Sequence, residues 1–109
     1  MAYDLELAGR IRLALAGRRG ISEKRMFGGI AFLHRGNMCC GVVGDELMIR
    51  VGREAYAKTV ALKHAHPMDF TGRPMTGFVY VRPAGFATRA ALEKWLDRAL
   101  AFAGSLPAK

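Results

Sequence analysis

Between Lys24 and Val51 the chain reads as strand, turn, strand, turn, strand, and no other stretch limits the fold so tightly. Side chains there alternate with a period of two: Ile30, Phe32 and His34 fall on one side, Ala31 and Leu33 on the other. Arg35-Gly36-Asn37 supplies a turn, because glycine and asparagine tolerate positive φ. Met38–Val43 is the next run, Gly44-Asp45 turns again, and Leu47, Ile49 and Val51 then alternate with Met48 and Arg50. Turns this short join antiparallel neighbours; parallel ones need a crossover of about a dozen residues or more. The region predicts an antiparallel meander.

Helical periods bracket it. Asp4 reads as an N-cap, followed by the stripe Leu7, Ala8, Ile11, Ala14 and Leu15, with Gly17 and Gly20 as the stop. Arg53–Leu62 is rich in helix formers and predicts one short helix. Ala65–Pro74 is dense in turn formers and reads as an irregular connection crossing the sheet. Gly77–Val81 is strongly β-prone and ends at Pro83. Thr88 then caps a last helix whose stripe is Leu92, Trp95, Leu96, Ala99, Phe102 and Ala103, closed by Gly104. The expectation is a single α+β domain over residues 1–109: an antiparallel sheet of about four to five strands flanked by N- and C-terminal helices.

A chain of 109 residues buries only a modest core, so a homodimer is a natural way to cover leftover apolar surface. No apolar run reaches the roughly 18–20 residues a membrane span needs. The opening residues mix Asp4, Glu6, Arg10 and Arg12 among the apolar ones, unlike a secretory signal. The cytoplasm is the expected compartment. Cys39 and Cys40 are adjacent, and neighbours on a regular strand point to opposite faces, so they read as free buried thiols in a reducing environment.

The net charge is +8, from 17 Lys and Arg against 9 Asp and Glu. That balance raises a polyanionic partner as a class, although most cations are scattered and only Arg18, Arg19, Lys24 and Arg25 group loosely. Phe70 beside Arg73 offers the stacking and charge that hold single-stranded nucleic acid.

Motifs with catalytic chemistry are weak. His64 and His66 have an i, i+2 spacing that His34, Cys39 or Asp69 could complete into a zinc site, but solvated or hydrogen-bonded histidines are the simpler reading. Cys39 or Cys40 with His34 or His66 would make a nucleophile and base, yet the strand position favours burial. Gly28-Gly29 is followed by the strand Ile30-Ala31-Phe32-Leu33 rather than by a helix, so it reads as a hairpin bend or bulge and not a phosphate loop. No catalytic, cofactor-binding or metal-ligating residue is assigned.

Several ordered motifs carry a resemblance. Arg25-Met26-Phe27-Gly28-Gly29, Gly36-Asn37-Met38, the Leu47–Val51 strand, and Pro67-Met68-Asp69-Phe70 followed by Arg73-Pro74-Met75 resemble the TfoX/Sxy N-terminal domain, from about Asp4 to Gly104. The resemblance implies an α+β fold of secretion-chaperone-like architecture that pairs as a dimer. The best-known relatives are bacterial co-regulators of transcription in natural competence, and they carry a second, helical domain that a single-domain member of 109 residues is expected to lack. The function expected is a non-enzymatic, single-domain interaction module that contacts another protein, with a homodimer through a sheet edge or the Thr88–Gly104 helix. Its expected interaction surface is Arg25, Met26, Phe27, Gly28 and Gly29 with Asp69, Phe70, Arg73, Pro74 and Met75. Direct nucleic-acid binding by the basic surface is the alternative, ahead of a small thiol or histidine enzyme or a metal-binding protein.

Overall fold

A computed structural model describes residues 3–26, 28–69 and 74–109. Helix α1 (Leu5–Ala14) is followed by strands β1 (Ile21–Met26), β2 (Gly29–His34), β3 (Asn37–Val43) and β4 (Glu46–Arg50). Helix α2 (Gly52–Val60), strands β5 (Ala65–Asp69) and β6 (Pro74–Val81), a 3-10 turn (Pro83–Phe86) and helix α3 (Arg89–Gly104) complete the order. Every strand pairing is antiparallel, in a six-stranded sheet ordered β1-β2-β3-β4-β6-β5.

The meander forms as its alternation requires. It continues into β1 on one side and β6 on the other, so the sheet has six strands rather than four to five. The extra strand is β5, in the segment expected to cross the sheet irregularly. Pro67 lacks an N–H, but an outermost strand pairs on one side only, and there a proline does no harm.

Register fixes which side chains share a face. Ile30 pairs with Val42, Phe32 with Cys40, Val42 with Leu47, Ile49 with Val79 and Leu47 with Val81. These residues form one face, and they cluster in the core with Leu7, Ala8, Ile11 and Leu15 of α1 and Leu92, Trp95, Leu96, Ala99 and Ala103 of α3. Ala55, Tyr56 and Val60 of α2 pack against the same cluster. All three helices therefore cover one face of the sheet. Leu92 and Leu96 are at most 2% exposed, and truncating either to alanine removes about 2–5 kcal/mol.

The helix ends match their caps. Asp4 Oδ1 accepts from the backbone N–H of Glu6 (2.9 Å) and Leu7 (3.2 Å), and Thr88 Oγ1 accepts from Ala91 N–H (3.1 Å). Arg10 ties α1 to the 3-10 turn by donating from Nη2 to the Phe86 carbonyl (2.6 Å), and Trp95 Nε1 donates to Gly85 O (2.8 Å).

One expectation about the core is corrected. Phe32 pairs with Cys40 and Leu33 with Met38, which leaves Cys39 as an extra residue in a β-bulge. The bulge interrupts the alternation, so Cys39 and Cys40 do not diverge to opposite faces. Both belong to the helix-side core and both are free thiols with no exposed surface.

Candidate functional site: the helix-free face of the sheet

The face opposite the helices is built from the alternate set of strand residues. Leu33 opposes Met38, Ala31 opposes Gly41, Gly41 opposes Met48, Met48 opposes Tyr80, and Tyr80 opposes His66. Ala31, Met48 and Met68 are buried, yet none of the three joins the helix-side core. Met48 reaches back over Gly41, where an added Cβ would lie 3.2 Å from Met48 Cε. Leu33, Met38, Phe78 and Tyr80 flank Ala31 and Met48 and are each half-buried, while Met68 lies farther out on the edge strand β5. The result is a continuous apolar strip, rich in methionine, whose unbranched thioether chains adapt to whatever packs on them.

A polar cluster closes the β5 side of the strip. Glu46 at the start of β4 hydrogen-bonds His66 Nε2 on β5, spanning the intervening strand β6. Tyr80 on β6 lies beneath, its ring centroid 5.4 Å from that of His66 at an interplanar angle of 43°. Burial first, and the Glu46 carboxylate second, hold the Tyr80 hydroxyl above the ordinary tyrosine range. Both sides of the Glu46–His66 pair are about a quarter exposed, at 27%, so the pair is reachable by a partner. At the far end of β4, Arg50 sits over the rings of Phe78 (5.6 Å) and Phe102 (5.2 Å).

Of the motif residues singled out in the sequence, Arg25, Met26, Gly28 and Gly29 lie on the β1–β2 hairpin. Asp69, Pro74 and Met75 lie where β5 leads into β6. Those places are opposite edges of the sheet, so the two segments are not gathered into one patch. Phe27, Phe70 and Arg73 lie outside the described residues.

The remaining candidates are dispersed. His64 sits in a turn at φ 73°, while His66 is engaged by Glu46. Among the described residues no group of three or more His, Cys, Asp and Glu side chains could hold a metal ion. Cys39 is drawn to lower pKa by the adjacent Cys40, against desolvation, with Arg18 assisting. Cys40 is pushed well up by Cys39 and by complete burial, so it stays a protonated thiol. The Glu46–His66–Tyr80 cluster was missed in the sequence because its members lie on three separate strands. Only the β4-β6-β5 order unites them, and the β5 strand itself was not recognised.

A groove of about 630 Å³ also opens between the start of α2 and α3, lined by Arg53, Glu54, Arg98 and Phe102 among others. Among the described residues no helix is long and apolar enough to cross a membrane.

The family model of the TfoX N-terminal domain matches residues 13–103, nearly the whole chain. The chain belongs to the TfoX N-terminal domain family. Its six-stranded antiparallel sheet with N- and C-terminal helices is the α+β architecture expected of a TfoX N-terminal domain. Neither the curated proteins nor the solved structures include a match to this chain.

Proposed function

We propose that this TfoX N-terminal domain is a non-enzymatic interaction module that docks another protein on the helix-free face of its sheet, in the service of transcription regulation. The observation that carries the reading is the one-sided packing. Three helices occupy one face, and the other presents half-buried Leu33, Met38, Phe78 and Tyr80 around the buried Met48. Apolar strips rimmed by polar groups are the usual form of a protein-binding surface. The Glu46–His66 pair at the rim supplies hydrogen-bonding groups that set register for a partner.

Other surfaces of the domain are less suited. The apolar stripe of α3 is already spent in the core, with Leu92, Trp95, Leu96, Ala99 and Ala103 buried. The two sheet edges carry the devices that discourage strand addition: Glu23, Lys24 and Arg25 on β1, and Pro67 on β5.

The test is affinity capture from nuclease-treated cell extract with the wild type and with Leu33→Lys/Met38→Lys, a pair opposed on this face. The reading predicts a defined partner held by the wild type and lost by the variant, with thermal stability little changed because both positions are half-exposed. Equal capture by both proteins would sink it.

A further inference from the structure

We propose that the β1 edge of the sheet is a docking strip for the phosphate backbone of duplex nucleic acid, bound without regard to sequence. The fold turns a loose grouping of cations into a connected one. Pairing of Ile21 with His34 brings the β2–β3 turn against the α1–β1 loop, so Arg35 joins Arg18 and Arg19. Lys24 and Arg25 follow along the β1 edge, one toward each face of the sheet, and all five side chains are exposed. The six residues of β1 cover about 20 Å at about 3.3 Å per residue. One duplex strand presents about six phosphates over that length.

The carboxylates nearby do not cancel the strip. Glu23, on the same strand, is gripped by Arg12 through Nε (2.6 Å) and Nη2 (2.8 Å). Arg18 pairs with Asp97 of α3 at 3.9 Å, but both side chains are more than half exposed, so solvent weakens the pair and a phosphate can compete for the arginine. Charges on β1 alone would be explained as protection of an open edge. Arg18, Arg19 and Arg35 lie off the strand, and edge protection does not require them.

Arg35 is the second, independent observation. It occupies a left-handed conformation, φ 52°, in a two-residue turn before Gly36 at φ 83°. Such a turn favours asparagine, aspartate or glycine at that place, and arginine is held there against its preference. Its backbone is fixed from both sides: Arg35 N–H donates to Gly20 O (2.8 Å), and Lys109 N–H donates to Arg35 O (2.9 Å). Its side-chain stem rests over Gly20, where an added Cβ would sit 3.0 Å from Arg35 Cγ. With its backbone and the start of its side chain fixed, Arg35 has less freedom to lose on meeting a phosphate. The contact rests on charge rather than stacking, because Tyr3, which lines one surface pocket with Lys24 and Arg25, is half-buried.

The test measures binding of a fluorescent mixed-sequence DNA duplex of about 20 base pairs by anisotropy, from about 50 to 200 mM salt. Arg18→Ala/Arg19→Ala/Arg35→Asn removes three cations, and asparagine keeps the turn. Lys58→Ala/Lys63→Ala/Lys94→Ala removes three others, on or beside α2 and α3. The proposal predicts that the first variant binds about tenfold or more weakly, with a salt slope shallower by about 2 to 3. The second stays near the wild type. Absence of binding at the lowest salt, equal loss in both variants, or equal displacement by polyglutamate would overturn it; the last would assign the strip to an acidic polypeptide. A nucleic-acid result of either sign leaves the protein-docking face untouched, because the strip and that face are altered by different substitutions.

Discussion

Tyr80 stands between Glu46 and His66 on the helix-free face, and its raised hydroxyl pKa reports how closed that corner is. A tyrosine that holds its proton more tightly when folded contributes stability present below about pH 10, the unfolded value, and lost as pH rises through the folded value. Glu46→Gln removes the carboxylate contribution and leaves burial, so Tyr80 should titrate at lower pH in the variant, though still above an ordinary tyrosine. Absorbance titration of phenolate formation in wild type and variant checks this; an unchanged curve contradicts it. The thiols make the opposite case, chemistry sealed away. Cys39 and Cys40 have no exposed surface, so a thiol reagent should modify them at the rate of unfolding, with both sites slow in the native protein. Rapid labelling of either one without denaturant would contradict that. Their shared orientation could not be read from alternation, because a bulge breaks the period without leaving a sequence mark at Cys39.

At the scale of elements, legibility followed amphipathic period. Helices α1 and α3 were evident because each has one buried stripe, and the β2–β4 meander because short apolar runs alternate with recognisable turns, with punctuation such as Asp4, Thr88 and the Arg35-Gly36 turn. Strand β5 was hidden by composition: Ala65-His66-Pro67-Met68-Asp69 looks like a loop until it is known to be an edge. The candidate site followed suit, since neither its His66 nor its place across β6 from Glu46 is expressed in local pattern. Helix α2 begins at Gly52, which has φ 82° and lies so close to the Phe102 ring of α3 that a Cβ would overlap it. Gly52→Ala should therefore cost about 2 kcal/mol or more, about 1–2 from the left-handed backbone and the rest from displacing Phe102. Thr88→Ala removes one N-cap bond and should cost about 1 kcal/mol. Denaturant unfolding gives both values, and a Gly52→Ala loss no greater than that of Thr88→Ala would show the α2–α3 junction to be looser than described.

The whole molecule is a sheet with two unlike faces and a charged border. One face is closed by helices and fixes the fold; the other is apolar at its centre, half-exposed around it and polar at the β5 side. Arg18, Arg19 and Arg35 lie at one border of the sheet away from Met48 and Tyr80, while Lys24 pairs with Ala31 where that border meets the apolar strip. Protein docking and polyanion contact thus use adjoining surfaces that meet at the β2–β3 turn, and different substitutions remove each. The measurement that bears most directly on the central claim is site-specific photo-crosslinking, with the photoreactive residue placed at Phe78 on the helix-free face or at Lys94 on the exposed side of α3. The account predicts a discrete protein adduct from position 78 and none from position 94. Adducts confined to position 94 would place the partner on the helical side and contradict it.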